Sequence, residues 1–489
     1  MMNRRKFLTA AAACGTAMGG DSGGRDRTAK PNIVVILADD FGFGSLNCYG
    51  ADRRFVRTPN LDRLAREGVR FTDANTPSSI CSPSRYAVMT GRYCWRTPLK
   101  AGVLSTYAPL HIETDRLTLA SLLKAQGYQT AAVGKWHLGY GTGRTDYTAR
   151  LTPGPLQIGF DYHFAVPQNH GDATGIFVEN EGVAGLRSTR LQPFGKTTYG
   201  ATWMGIDAPQ RVDDTVMEVL TDHAVEWLEK REAKTPFFLY FTPVAVHDPV
   251  TPSAATRGTS GVGSYGDWIH DLDLSVGRIL KSLDQKGFAK DTLVIFSSDN
   301  GGVFLTQGDK PQAVAYRAGL HVNGDWRGGK HGIYQGGFRV PFMVRWPGRA
   351  PAGTTCGETI NLVDILATVA AVTGRPLPPP EVAAEDSANV LPAFLGKKIA
   401  QPLRDSMISH SADGNFAIRQ GPWKYIEGKP SVPANRIPVP RRAEMVPQLY
   451  NLADDPGEQK NLIEAHRDIA NRMVDLLSTC RGRPNTRRE

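Results

Sequence analysis

The chain has 489 residues, 41% hydrophobic and 21% charged, with 51 glycines and 33 prolines spread among apolar segments. That composition supports a large buried core with a smaller partner unit and excludes a disordered or fibrous chain. The formal net charge of +9 suits polyanionic partners, but no aromatic-interleaved basic motif or helix-turn-helix pattern accompanies it, which argues against nucleic-acid binding.

In chain order, Asn3-Arg4-Arg5-Lys6-Phe7-Leu8 opens a short alanine run and resembles the twin-arginine signal that exports folded bacterial proteins. Residues 1–24 are assigned to this signal, which implies a periplasmic or cell-surface destination. They carry +2 of the net charge and leave +7 on the remainder. Ala11-Ala12-Ala13-Cys14-Gly15 resembles a lipid-attachment box in which Ala11 departs from the usual Leu. Beyond this segment no apolar stretch is long enough for a membrane helix.

The apolar run 32–38 ends at Asp39 and Asp40. A helix is predicted over 61–67, capped by Asn60 and stopped at Gly68. At Cys81-Ser82-Pro83-Ser84-Arg85, followed by Met89-Thr90-Gly91-Arg92, a strand-like run gives way to a helix. The Cys81 thiol then sits at the positive end of a helix dipole, which favours an attacking anion and an anionic substrate together. Residues 117–126 read as a helix stopped by Gly127, and the run 130–134 delivers Lys135, Trp136 and His137. An amphipathic helix over 213–230 precedes the run 236–241, which continues to His247, Asp248 and Pro249. A helix over 267–286 precedes the run 292–296, which leads through Ser297 and Ser298 to Asp299, Asn300 and Gly301. Residues 360–373 read as a helix ended by Gly374, and Pro376 to Pro380 mark a boundary. Short strands follow at 406–410, 416–419, 423–426 and 448–452, then a closing helix over 462–478.

Apolar runs without alternation suit strands buried on both faces of a parallel sheet, and such sheets collect ligands beyond the carboxyl ends of their strands. Alternating strands and helices imply an α/β doubly wound sheet flanked by helices on both faces. Any one polar set is also an ordinary turn, cap or solvated loop. Together they comprise three carboxylates, an Asn oxygen, two histidines and several cations on matching strand ends, a costly accident in a structural core. All four sets are therefore expected on one rim.

On these residues the chain resembles the type I sulfatases of the alkaline phosphatase superfamily. Cys81 to Arg85 match the family signature of Cys or Ser, any residue, Pro, Ser, Arg, with Thr90-Gly91-Arg92 downstream. Asp39-Asp40, Gly134-Lys135-Trp136-His137, His247-Asp248-Pro249, Ser298-Asp299-Asn300-Gly301, Gly328-Gly329-Lys330 and Gly336 to Pro341 follow in the family order. The resemblance spans residues 30–375 and implies an alkaline-phosphatase-like, mostly parallel sheet sandwiched by helices. It further implies a smaller C-terminal antiparallel-sheet subdomain over 385–489. Residues 258–267 resemble the branch holding arylsulfatases and N-acetylgalactosamine-6-sulfatases.

The resemblance also implies chemistry. A maturation enzyme would oxidise Cys81 to formylglycine, so residue 81 works as an oxygen nucleophile. Asp39, Asp40, Asp299 and Asn300, with residue 81, would hold one calcium ion; with no His or Cys crowding these positions, zinc suits them less. Arg85, Lys135 and Lys330 would stabilise the developing negative charge. His247, helped by Lys330, would protonate the departing alcohol, and His137 would take a proton from the hydrate. Gln168, Asn169, His170 and Asp172 are candidates for binding sugar hydroxyls, and His321 and Trp326 for lining the rim. The expected substrate is a sulfated carbohydrate, a galactose or N-acetylgalactosamine 6-sulfate among them, or an aryl sulfate. A phosphodiester or phosphonate hydrolase stays open, as does a non-catalytic sulfated-glycan binder in which Cys81 remains a thiol. Cys48, Cys94, Cys356 and Cys480 are open either to two disulfides in an oxidising compartment or to free buried thiols.

Overall fold

A computed structural model describes residues 30–191, 205–431 and 444–488; the export-signal and lipid-attachment readings lie outside them. In chain order the strands are β1 (Asn32–Ala38), β2 (Val69–Phe71), β3 (Ala74–Asn75), β4 (Gln129–Lys135), β5 (Tyr162–Val166) and β6 (Val178–Glu179). They continue with β7 (Gly182–Val183), β8 (Phe237–Thr242), β9 (Thr292–Ser298), β10 (Phe342–Arg345), β11 (Thr354–Cys356) and β12 (Ile360–Asn361). The last four are β13 (Met407–His410), β14 (Phe416–Gln420), β15 (Trp423–Ile426) and β16 (Gln448–Asn451).

Ten of these form one sheet in the order β11-β2-β10-β9-β1-β8-β4-β5-β6-β7. β1 lies at its centre, parallel to β8 and β9, and β4 runs parallel to β8 and β5. β10 is antiparallel to β9 and β2, and a β6–β7 hairpin closes the far edge. β13 to β16 make a separate antiparallel sheet, as expected. Along β1, Ile33, Val35 and Leu37 enter one core, while Val34, Ile36 and Ala38 enter another on the opposite face. Burial on both faces is why these strands read as unbroken apolar runs.

The helices that position the site are α1 (Pro59–Arg66), α2 (Cys81–Thr90), α3 (Leu119–Lys124), α4 (Val216–Glu229), α5 (Ser264–Gln285) and α6 (Pro311–Arg317). All ten residues of α2 are buried, so the helix has no solvent face. It ends at Gly91, whose φ of 65° suits glycine and whose missing Cβ leaves room for Ala384 and Ser387.

Several helix boundaries differ from expectation, each for a local reason. Pro59 takes the first position of α1, so Thr58 and not Asn60 precedes the helix. Asn60 instead donates from its backbone and side-chain amides to Asp273 of α5. α3 is shortened by a capping box between Thr118 and Ser121. α5 begins at Ser264, because Asp267 accepts from Gly258 N and Ser260 N and folds the preceding loop back on its first turn. Residues 360–373 divide into β12, a short turn and the helix Ile365–Val372, and the closing helix runs Arg467–Gly482. Among the described residues every cysteine is a free thiol, and no helix is long and apolar enough to cross a membrane.

Candidate active site

The register of the central strands sets the site. Ala38 of β1 pairs with Ser298 of β9, so Asp39 and Asp299 leave the sheet side by side. β8 and β4 end one and two strands away, with Gly134 opposite Thr242. That approach needs a glycine: Gly134 has φ 124°, and a Cβ there would lie 2.0 Å from the Thr242 carbonyl. After β8 the chain is pinned to Asp39 by two backbone bonds, Asp39 N to Ala245 O at 3.1 Å and Val246 N to Asp39 O at 2.7 Å. This turn carries His247 to the carboxylates. Asp40 and His137 both adopt φ 58°, a left-handed conformation uncommon outside glycine that collects where surrounding structure dictates the backbone.

Cys81 opens α2 with its Sγ 3.8 Å from Asp39 Oδ1. Lys135 Nζ holds both Asp39 oxygens at 2.9 and 2.8 Å. Arg85 donates from Nε to Asp299 Oδ2 at 2.9 Å, and its Nη2 lies 2.7 Å from that oxygen and 3.4 Å from Asp39 Oδ1. Lys330 Nζ meets Asp40 Oδ2 at 2.7 Å, and His247 Nε2 lies 3.8 Å from the same oxygen. Asp299 Oδ1 accepts from Asp40 N at 3.2 Å, and Asn300 Nδ2 donates to Asp40 Oδ1 at 2.8 Å. Cys81, Arg85, Lys135, His247 and Lys330 converge on Asp39, Asp40, Asp299 and Asn300, and Asp39, Asp40, Arg85, Lys135, Asp299 and Asn300 are at most 1% exposed.

Three carboxylates and three cations balance in number yet not in comfort. Burial pushes Asp299 above the usual carboxylate range, Arg85 pulls it down, and Asp39 and Asp40 add like-charge repulsion. Burial would also raise Asp40, but Lys330, His247 and Lys135 together hold it well below. Burial pushes the Cys81 thiol up to about 12, overcoming Lys135 and Lys330. At this sulfur, desolvation therefore opposes the helix dipole, in keeping with the expectation that residue 81 does not act as a thiol.

Asp39, Asp40, Cys81 and His247 each offer a ligand atom, all within 4.8 Å of one another, and the buried Asn300 Oδ1 has no hydrogen-bond partner. Crowded carboxylates with an unused amide oxygen fit a hard cation. The expectation that no histidine approaches these ligands is corrected, because the turn after β8 places His247 among them.

The two histidines differ in which nitrogen is committed. His137 Nε2 faces the Leu104 carbonyl at 3.1 Å, which accepts and so holds the proton on Nε2, and buried Nδ1 has no partner. His247 Nδ1 faces the Asp248 carbonyl at 2.6 Å, leaving Nε2 toward Asp40. Burial, with Lys135 and Arg85, holds His137 well below its ordinary range; burial and Lys330 bring His247 to about 3.

The sulfatase family profile matches residues 31–375. The chain belongs to the sulfatase family. It is an enzyme that hydrolyses sulfate esters, as the resemblance implied. It is 36% identical to an N-acetylgalactosamine-6-O-sulfatase of Bacteroides thetaiotaomicron, over 93% of this chain and 94% of that protein. Human arylsulfatase A is 32% identical over 88% and 83% of the two chains. A solved sulfatase structure of Bacteroides thetaiotaomicron, labelled 6S-sulf and described with the metabolism of multiple glycosaminoglycans, superposes with a TM-score of 0.83. It is 34% identical over 93% of this chain and all of that one.

Around this sulfatase centre the sugar-binding candidates behave differently from one another. Asp172 Oδ1 accepts from Thr174 N, Thr174 Oγ1 and Gly175 N, and Arg211 pairs with it at 3.1 Å, so its carboxylate closes its own loop. His170 is buried against Trp268, with Nε2 2.8 Å from Thr251 Oγ1. Asn169 keeps a buried Oδ1 without a partner. Gln168 Nε2 donates to the Leu104 carbonyl that also holds His137. Trp326 lies under the Arg339 guanidinium at 4.4 Å and against Phe43, whereas His321 is exposed and stacks on Tyr316. Sequence reasoning missed Leu104, which acts through its backbone carbonyl and so has no side-chain signature. It also missed Gln312, whose Nε2 donates to Asp248 Oδ1 at 2.7 Å.

Proposed function

We propose that this enzyme removes sulfate from a sulfated carbohydrate by formylglycine chemistry at residue 81 beside one calcium ion, in the bacterial periplasm or at the cell surface. The observation that carries the reading is the convergence of Cys81, at the N-terminus of α2, with Asp39, Lys135 and the Asp40 nest. The full-length likeness to an N-acetylgalactosamine-6-O-sulfatase supports a sugar 6-sulfate of the galactose type.

Asp39, Asp40, Asp299 and Asn300, with residue 81, would hold the calcium. When bound, the metal would supply Lewis-acid charge to a sulfate oxygen, and residue 81, once oxidised, would supply the oxygen nucleophile. The chain's own residues do the rest. Arg85 and Lys135 fix residue 81 and the carboxylates around it, and with Lys330 they supply positive charge where the sulfuryl oxygens gain negative charge.

Lys330 and His247 flank one oxygen of Asp40 and together face the departing alcohol. With Nδ1 committed to Asp248, His247 donates only from Nε2 once protonated, and the ester's negative charge opposes the burial that keeps it neutral. His137, with its proton held on Nε2 by Leu104, has the lone pair of Nδ1 free to accept a proton.

Two measurements test the reading. Oxidation of Cys81 to the aldehyde lowers the intact peptide mass by roughly 18 Da, a loss that thiol oxidation does not give. A panel of sulfated monosaccharides, with free sulfate as the readout, identifies the sugar. An unmodified Cys81 in active enzyme, or faster turnover of an aryl phosphate than of the matched aryl sulfate, overturns the proposal.

A further inference from the structure

Two residues past Gly302, the chain leaves a phenyl ring in the open. Phe304 is 45% exposed and is the one exposed phenylalanine among the described residues, an apolar face available to a ligand. Its backbone neighbours belong to the site. The Gly302 carbonyl accepts from Lys330 N at 3.0 Å, and a Cβ added at Gly329 would fall 2.8 Å from Phe304 Cβ.

The ring is backed by two more. Tyr316 of α6 meets Phe304 edge-on at 5.4 Å, and His321 stacks on Tyr316 at 5.2 Å. α6 is tied at its other end to the turn after β8, because Gln312 donates to the Asp248 carboxylate while the Asp248 carbonyl holds His247 Nδ1. This one short helix thus touches both the turn bearing His247, through Gln312, and the loop packed on Gly329 beside Lys330, through Tyr316 and Phe304.

His247 and Lys330 are the groups that face the departing alcohol in the function proposed above, on which this inference rests. We propose that Phe304, backed by Tyr316 and His321, is the leaving-group subsite, a platform for the C–H face of the pyranose that carries the sulfate. Aromatic rings suit such a surface because they bury apolar area with little conformational freedom to lose, while the sugar's hydroxyls stay wet. The ledge selects cyclic sugar sulfates over acyclic alkyl sulfates, a choice the anion pocket cannot make.

The test compares wild type, Phe304→Ala and Phe304→Tyr on N-acetylgalactosamine 6-sulfate and on ethyl sulfate, with inhibition by inorganic sulfate reporting the anion pocket alone. Phe304→Ala is expected to lower kcat/KM on the sugar sulfate by about tenfold, mainly through KM. Ethyl sulfate turnover and the inhibition constant for inorganic sulfate are expected to stay at wild-type values, and Phe304→Tyr to recover the sugar activity. Equal losses on both esters, a weakened sulfate inhibition, or an alanine variant indistinguishable from wild type on the sugar would each overturn the subsite. Failure of wild type itself to release sulfate from any member of the sulfated-monosaccharide panel would instead overturn the carbohydrate reading, and if another member is the better substrate it replaces N-acetylgalactosamine 6-sulfate in the comparison, so the two failures are distinguishable.

Discussion

Two buried charge clusters share the segment 330–335 yet differ in how their valences are used. At its far end, Lys424 Nζ donates to Glu458 Oε1 at 2.6 Å and to Ile333 O at 2.7 Å, and Glu458 Oε2 accepts from Gln335 N at 2.5 Å. Each charge has its opposite, and the remaining bonds go to backbone. At the near end, Lys330 enters a nest where three carboxylates crowd together, Asp299 is pushed up by burial, and Asn300 Oδ1 and His137 Nδ1 have no partner. Buried charge alone therefore does not mark a site. Crowding of like charges does, because it is relieved only by a cation from outside.

The comparison breaks most sharply at Cys81. Cys81→Ala is expected to lower sulfate release by about four orders of magnitude or more, with thermal unfolding close to wild type because the thiol's one polar contact is the 3.8 Å approach to Asp39. Turnover near the wild-type rate would remove residue 81 from the chemistry.

Neutralising one charge in each cluster should give opposite results. Asp299→Asn is expected to lower turnover by about a thousandfold and to abolish the calcium-dependent rise in Tm. That rise is worth about 2.7 kcal/mol at a hundredfold excess over Kd. In chelator, however, its stability should stay within about 1 kcal/mol of wild type, since the change relieves like-charge repulsion. Lys424→Met leaves Glu458 buried without its counter-charge and should cost about 3–5 kcal/mol, yet the fraction that folds should turn over sulfate esters. A large calcium-free destabilisation in Asp299→Asn, with none in Lys424→Met, would reverse the distinction.

Within the nest, His247→Ala should lower turnover of sugar sulfates by about a hundredfold or more, and of nitrophenyl sulfate far less, because a good leaving group departs without protonation. Equal losses on both would remove His247 from the acid role.

The parts legible in the sequence were those that local pattern dictates. The four strand exits stood out because burial of both faces of β1, β4, β8 and β9 left unbroken apolar runs that stop at charged residues. What escaped was set by residues distant along the chain. Asn60 looked like a helix cap until an aspartate 213 residues away claimed its amides. Asp172 was a candidate for sugar hydroxyls, and its Oδ1 is held by Arg211, 39 residues on, as well as by the turn at Thr174. His247 was expected on the same rim, but its close approach to the metal-ligand carboxylates depends on two backbone bonds to Asp39, which no spacing within its own segment announces. Phe304 is a single exposed ring in a loop, and a single residue has no period.

Acid separates the two kinds of buried group in a finer way. His163, His170 and His410 lie outside the nest, buried and neutral, with burial bringing the first two to about 3 and His410 to about 4, from an ordinary 6.5. These are depressed values, so the unfolded chain binds protons that the folded chain refuses. Stability is full above about pH 6.5 and falls as pH drops toward the folded values, by up to about 4 kcal/mol per pH unit for the three together. His410 lies on β13, where its Nδ1 faces the Ser411 carbonyl and its own carbonyl accepts from Ser79 N just ahead of Cys81. His410→Gln can keep a donor for Ser411 but cannot titrate. Urea unfolding between about pH 6 and pH 4.5 should therefore show a slope shallower by about 1.4 kcal/mol per pH unit. An unchanged slope would mean that His410 is already protonated in the folded protein, and burial would then not hold it neutral.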